Sequence, residues 1–302
     1  MAAEITVVVG NHQGEALLPD CLGSLRSQTR SPARVIVVDA ASTDASAEVA
    51  ERLGADLLRA ENRGLGFLYN LGARAARSDY VLFSNNDVAY ERDCLEHLAA
   101  ALDADERRFA ADPTQLAWAD GRVIHARTTI ARGRMWRELL PGFHLLEAEP
   151  ADGVMPTLRA DGAAMLVRNP LLRELGGFDE TFFMEWEDFD LCWRAWARGW
   201  PTVYVPQARL RHHVGAVTTE GVLARRSASS HHNLMRFALK CLPASAACRV
   251  VAGELLRLPR HPRAVATALL HVARELPEIG AARRRLPPKR ELLEWMLAGQ
   301  PA

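Results

Sequence analysis

The chain has no charge excess of either sign: 37 Lys and Arg balance 37 Asp and Glu over 302 residues. It therefore lacks the basic footprint of a nucleic-acid binder, and nucleic acid is not expected as a partner. It has no apolar run of about eighteen residues, although 49% of it is hydrophobic, so no transmembrane helix is expected. Met1 to Val9 is too short and too acidic for a signal peptide. Cysteine is sparse. Cys21, Cys94, Cys192, Cys241 and Cys248 are odd in number, scattered and without metal-ligand spacing. They read as reduced thiols of a cytosolic protein. There is no internal repeat, and no Gly-x-Gly-x-x-Gly fingerprint follows the first apolar run. What remains is a chain long enough for one large α/β domain with an appendage, or for two small domains.

β-branched and apolar runs at Ile5–Val9, Val35–Asp39, Asp56–Leu58 and Tyr80–Ser84 read as strands. Helical patterns stand between them: residues 14–28, with Leu17, Leu18, Leu22 and Leu25 on one face; Ser42-Thr43-Asp44 capping a helix to about 53; a Gly- and Ala-rich helix to Ala76; and Glu91–Leu102. That alternation is the rhythm of a parallel sheet with helices on both faces. Ligands of such sheets sit at the carboxyl ends of the strands, where Asp39 and Asn85-Asn86-Asp87 fall. Further on, Gln115–Trp118 and Val123–Ala126 flank an Asp120-Gly121 turn, and Arg127–Arg137 is basic. Ala163–Val167 and Thr202–Val205 read as strands, the latter followed by a short basic hinge. From Gly221 the chain is helical and rich in Ala, Leu and Arg. The expected division is 1–220 and 221–302.

The densest chemistry lies at Gly176–Arg194. A Gly-Gly turn leads into aromatics, and four carboxylates, Glu185, Glu187, Asp188 and Asp190, fall within six residues at a helix start. No basic residue intervenes before Arg194. Carboxylates held among large apolar groups are desolvated and become stronger bases. The pattern asks for a proton acceptor, a metal or a sugar. Four other stretches are suggestive but individually ambiguous. Asp39 and Asp44 suit a nucleoside, or merely end a strand and cap a helix. Asn62-Arg63-Gly64-Leu65-Gly66 with Asn70 suits phosphate at a helix N-terminus, or tight packing. Asp87 suits Mg²⁺, which takes one or two protein carboxylates plus phosphate oxygens, or belongs to an Asn-rich turn. His212-His213 suits a metal or a polar loop, and His231-His232 reads as structural.

Taken together, Val-Val-Asp-x-x-Ser-Thr-Asp at 37–44, Asn-Arg-Gly at 62–64 and Gly-Gly-Phe-Asp-Glu to Glu-Asp-x-Asp-Leu at 176–191 resemble a family 2 glycosyltransferase of the rhamnosyltransferase-like branch. The likeness covers most of residues 4–217. It implies a GT-A fold, a Rossmann-like and mostly parallel central sheet with helices on both faces, plus a helical C-terminal extension. It implies a nucleotide-diphosphate sugar donor and a divalent metal, Mg²⁺ or Mn²⁺. By resemblance, Asp39 contacts the base and Asp44 lies near the nucleoside, with Asn62, Asn70, Asn85 and Asn86 also on the donor side. The family's Asp-x-Asp falls on Asn85-Asn86-Asp87, which leaves Asp87 as the main metal ligand, with His212 completing the metal or diphosphate site. Glu187 and Asp188 fall on the acceptor side, with Asp188 as general base. Gly10-Asn11-His12-Gln13-Gly14 stands where an aromatic residue is more usual.

The expected reaction is an inverting transfer from dTDP-rhamnose or a UDP-sugar to a hydroxyl of a glycan or polyprenyl-linked acceptor, in cell-surface polysaccharide synthesis. A single displacement needs one base and no covalent intermediate. Glu187 and Asp190 are expected to orient the acceptor or cap the helix. Two alternatives stay open: a nucleotidyltransferase, against which Gly10–Gly14 lacks Lys and Arg, and a non-catalytic sugar-nucleotide binder. The extension supports two readings equally. Arg249, Arg257, Arg283, Arg284, Arg285, Lys289 and Arg290 beside apolar faces suit peripheral contact with the inner face of a membrane. The same helices would also suit packing on the catalytic domain or a homodimer, because Glu254, Glu275, Glu278, Glu291 and Glu294 offset the charge.

Overall fold

A computed structural model describes residues 3–128, 153–214 and 220–286. Most of the basic stretch 127–137, Gly215, and the charged residues 289–294 lie outside the described residues.

Ten strands form one mixed sheet in the order β3-β2-β1-β4-β9-β6-β10-β5, with β7 paired to β6 and β8 to β10. The strands are β1 Ile5–Asn11, β2 Arg34–Ala40, β3 Asp56–Ala60, β4 Tyr80–Asn85, β5 Val88–Tyr90, β6 Ala110–Ala117, β7 Val123–His125, β8 Met155–Thr157, β9 Ala164–Arg168 and β10 Thr202–His212. The first four strands in that order are parallel, as is the β6–β10 pair; β9 joins the two parallel blocks by running antiparallel to both β4 and β6.

Period-2 side-chain alternation distributes two cores over the sheet. Ile5, Val7 and Val9 of β1, with Leu82 of β4, pack under helices α1 (Leu18–Arg26), α2 (Ser46–Arg52) and α4 (Cys94–Asp103). Val8, Val81 and Phe83 point to the other face, under α3 (Leu65–Ala75), α5 (Asn169–Leu175) and α6 (Glu187–Trp196). Helices cover both faces, as the sequence rhythm implies.

Three strands depart from the expected layout. β10 runs on to His212, where the sequence suggested a hinge. Ala208 and Leu210 are buried while Gln207, Arg209 and Arg211 are exposed, so the basic stretch is the solvent side of an alternating strand. A register shift between Val205 and Arg209 accommodates Pro206. β5 and β8 are three-residue strands that pair antiparallel to β10, too short to carry a periodic signal.

The C-terminal helices are α7 (Glu220–Cys241), α8 (Ala244–Leu255) and α9 (Pro262–Arg285). Phe182, Phe189, Trp193 and Trp196 bury themselves with Leu234, Phe237, Ala238 and Cys241 of α7 and Ala247 and Val250 of α8. Met235 of α7 meets Ala268, Val272 and Ile279 of α9. The extension is thus seated directly on α6, the helix that begins at Glu187.

Candidate active site

The carboxyl ends of β1, β2 and β4 meet around a single buried amide. Asn11, 1% exposed, donates through Nδ2 to Oδ1 of Asp39 at 2.7 Å and accepts at Oδ1 from Nδ2 of Asn86 at 2.7 Å. Asp39 also takes the Ser42 hydroxyl at 2.6 Å and the Ser42 N–H at 3.1 Å. Gly14 closes this cluster, because a Cβ there would stand 2.0 Å from Oδ1 of Asn11 and 2.3 Å from Nδ2 of Asn86. Gln13 and Ala41 hold positive φ (50° and 53°) on either side of it. Such strain concentrates at functional sites.

The loop after β1 is not a phosphate cradle. The N–H groups of Gln13, Gly14 and Glu15 are spent on Ser42 Oγ, Ser46 Oγ and Asp44 Oδ2. This argues against the nucleotidyltransferase alternative. Asp44 in turn accepts the Ser46 N–H, so it secures the start of α2 at the rim of the cluster.

Asn62 and Asn70 separate from this group. Gly64 (φ 102°) lets the α3 N-terminus press on the backbone of Phe183, whose carbonyl takes the Leu65 N–H at 3.2 Å. The glycines here serve packing. Asn70 is buried and bonds both the N–H and the carbonyl of Phe178 and Oε1 of Glu180. It anchors the Gly-Gly-Phe-Asp-Glu turn, while Asn62 is half-buried on the loop before α3.

Asp87 and His212 come together. Oδ1 of Asp87 is buried without a hydrogen bond and lies 3.2 Å from Nε2 of His212. Nδ1 of His212 stands 2.8 Å from Oε1 of Gln115. In the neutral tautomer that donates from Nδ1 to Gln115, the Nε2 lone pair faces Oδ1 of Asp87, an arrangement that a bound cation satisfies. Ligands held at right angles about 2.1 Å from a metal are themselves roughly 3 Å apart, so the residues present fit a divalent ion. Among the described residues no cluster of three or more His, Cys, Asp or Glu is spaced to hold one. Remaining ligands would come from diphosphate and water, as Mg²⁺ prefers.

α6 carries the acidic cluster. Glu187 and Asp188 are 4% and 5% exposed. Burial, then the neighbouring Asp188 charge, pushes the Glu187 carboxyl up to about 8, and its Oε2 has no hydrogen-bond partner. Asp188 is also raised by burial, against the pull of Arg159. Oδ2 of Asp188 takes Nη1 of Arg159 at 2.8 Å and the Gly162 N–H at 3.1 Å; Oδ1 takes the Phe189 N–H at 2.7 Å. Asp190 turns the other way. It is fully buried between Arg194 (2.7 Å) and Lys240 of α7 (2.7 Å), so it fastens α6 in place and does not face an acceptor.

Tyr69 joins the two halves. Its hydroxyl donates to the Gly162 carbonyl at 2.7 Å and stands 3.1 Å from Oδ1 of Asn85. Gly162 passes the link on to Asp188. The β4 end and the buried carboxylate Asp188 are therefore held by one short chain of contacts.

Several members of the site carried no sequence signal. Arg159 bridges Asp188 and Asp161, each at 2.8 Å. Burial pushes the Asp161 carboxyl up, but Arg159 and then His125 hold it well below the usual carboxylate range. Behind them His125 is paired through Nε2 with Asp112 at 2.9 Å, both buried. Their positions come from β6, β7 and the β8–β9 connection, which pair only in three dimensions.

Comparison with known proteins follows the same geometry. A model of glycosyl transferase family 2 matches residues 6–155. The N-acetylglucosaminyl-diphospho-decaprenol L-rhamnosyltransferase of Mycobacterium tuberculosis is 30% identical over 218 residues, 64% of this chain and 70% of the relative. Among solved structures, the mannosyltransferase PcManGT from Pyrobaculum calidifontis, in complex with GDP-Man and Mn²⁺, superposes with a TM-score of 0.55 at 21% identity, over 99% of this chain and 86% of that one. TarS of S. aureus gives 0.55 at 19% identity, over 84% of this chain but only 43% of its own length. At those identities the structural likeness speaks for the fold.

Proposed function

The chain belongs to glycosyl transferase family 2 and is a glycosyltransferase of GT-A architecture, and we propose that it moves a sugar from a nucleoside-diphosphate donor to a hydroxyl of a lipid-linked or glycan acceptor with inversion. The observation that carries the reading is the short path Asn85–Tyr69–Gly162–Asp188, which sets the strand ends that would hold the donor beside a buried carboxylate pair. Asp39, with Asn11 and Asn86, would meet the nucleoside. Asp87 and His212 would hold Mg²⁺ or Mn²⁺, which supplies charge neutralisation for the departing diphosphate. Asp188 is the general base: it takes the acceptor hydroxyl proton as the oxygen attacks the anomeric carbon. Arg159 opposes the burial-driven rise of the Asp188 carboxyl before transfer, and its second partner Asp161 keeps Arg159 paired once Asp188 is protonated.

The donor expected from the sequence is dTDP-rhamnose or a UDP-sugar, and a relative named as an N-acetylglucosaminyl-diphospho-decaprenol L-rhamnosyltransferase supports a rhamnosyl donor and a polyprenyl-diphosphate-linked sugar as acceptor. No helix among the described residues is long and apolar enough to cross a membrane. We propose that contact with a lipid-linked acceptor is peripheral, at the cytoplasmic face. Leu255 and Leu256 are exposed at the α8–α9 turn, which also carries the exposed Arg260 and Arg263, and suit such contact. Arg283 does not contribute, because it donates to the Leu239 carbonyl.

Thermal stabilisation by UDP, dTDP and their sugars, each with Mg²⁺, Mn²⁺ or excess EDTA, tests the reading. Metal-dependent stabilisation by at least one of them supports it. Absence of any shift with every nucleotide and metal contradicts it.

A further inference from the structure

We propose that Asn233, on the C-terminal helix α7, is a positioning residue for sugar transfer, and that the C-terminal helices thereby complete the acceptor side of the site. The inference rests on the reading of Glu187 and Asp188 as the acceptor-side carboxylates.

The turn that delivers those two residues is strained. Glu185 and Trp186 are adjacent and both hold positive φ, 66° and 75°. Non-glycine residues persist in that region only where their surroundings hold them. The holder is on α7. Nδ2 of Asn233 donates to the Met184 carbonyl at 2.7 Å and to the Glu185 carbonyl at 3.0 Å. Asn233 is 1% exposed, so water is a poor substitute for those bonds. Its own orientation is fixed from behind. Oδ1 of Asn233 lies 2.9 Å from Nδ1 of His232, and Nε2 of His232 lies 3.0 Å from Glu275 of α9. Further along α7, Arg236 and Lys240 both bind Asp179, at 3.1 and 2.6 Å, in the turn leading to the same carboxylates. One face of α7 therefore presents a row of buried polar groups that reach residues 179–190, and Arg236 ties that row to Glu275 and Glu278 of α9 as well.

None of these groups reaches the nucleotide cluster at Asn11 and Asp39. A loosened turn should then impair the proton-transfer step and spare donor binding. Small displacements of a reacting group cost up to about a hundredfold in rate.

The test uses the full chain. Asn233→Asp keeps the shape and removes the donor; His232→Gln weakens the orientation of Asn233 without touching the turn; Asp188→Asn is the control. Turnover is read with dTDP-rhamnose and polyprenyl-diphosphate-linked N-acetylglucosamine, and binding with UDP and dTDP in Mn²⁺. Asn233→Asp is expected to lower kcat by about tenfold to a hundredfold, to shift the pH profile of kcat, and to leave nucleotide affinity within about twofold. His232→Gln should change kcat in the same direction by less. Amide exchange over 183–190, read without substrate, should rise about tenfold in Asn233→Asp, with β1 and β2 unchanged. If Asp188→Asn abolishes turnover while Asn233→Asp keeps the wild-type kcat and pH profile, the clamp is wrong and the base assignment stands. If Asp188→Asn remains active, the base assignment fails and the inference with it. Unchanged exchange over 183–190 overturns the clamp whatever the activity.

Discussion

Nη1 of Arg159 lies 2.8 Å from Oδ2 of Asp188, and Nη2 of the same guanidinium lies 2.8 Å from Asp161. The proposed base is thus one of two carboxylates sharing a buried cation. Arg159→Ala removes the charge that opposes the burial-driven rise of Asp188, so the acidic limb of the kcat profile should move to higher pH. Breaking a buried pair in this way also destabilises by about 3–5 kcal/mol. A kcat–pH profile and a denaturation curve on the variant check both effects; an unmoved acidic limb would detach Arg159 from the base.

Glu187 gives the opposite signature in stability. Its carboxyl is raised from 4.5 unfolded to about 8 folded, first by burial and then by Asp188. A raised acid binds its proton more tightly in the folded state. Its contribution is fully present below pH 4.5 and is lost as pH rises toward 8. Glu187→Gln should therefore gain on wild type by a few kcal/mol at pH 8 and lose that advantage near pH 4.5. Urea unfolding across that range would show it, and a pH-independent difference would contradict it.

Asp87 and His212 make a separable prediction. Asp87→Ala should abolish the Mn²⁺ dependence of nucleotide binding. His212→Ala should weaken metal-supported affinity by about tenfold to a hundredfold. Calorimetry with UDP or dTDP, with and without excess EDTA, decides. Equal affinity in EDTA for the wild type would remove the metal from this pair.

At the α8–α9 turn, Leu256 is 80% exposed. Leu256→Asp should reduce pelleting with anionic vesicles at low salt and leave the fold intact. Each basic residue near such a surface contributes about 1 kcal/mol. Equal pelleting with neutral and anionic vesicles, or none, would favour a dimer or a bare surface, which light scattering would distinguish.

The first hundred residues were legible because each βα unit repeats the same burial pattern. Ile5–Val9, Val35–Asp39 and Tyr80–Ser84 alternate between two cores, and the strand ends fall where expected. The meeting of Asp87 and His212 was legible only through the family resemblance; periodicity and spacing show two separate motifs, because the meeting requires β5 to pair back on β10. β6 was read only from Gln115 because Asp112 and Pro113 are poor strand residues. Asp112 is tolerated there by His125, a partner that pairing with β7 supplies. Arg159 and Asp161 lie between strands and have no periodic signature. Asn233 is a single amide in a long helix, and nothing in its neighbourhood reveals two carbonyls contributed from residues 184 and 185.

Turnover and nucleotide binding of Asp188→Asn, measured on the same preparation, test the central claim most directly. The substitution keeps the side chain's size and removes its basicity. A positioned general base is worth about 10²–10⁴ in rate. The account predicts a loss of that order in kcat, with UDP or dTDP affinity in Mn²⁺ unchanged. A variant that retains more than about a tenth of wild-type kcat, below the least that a general base contributes, would contradict the assignment of Asp188 as the base.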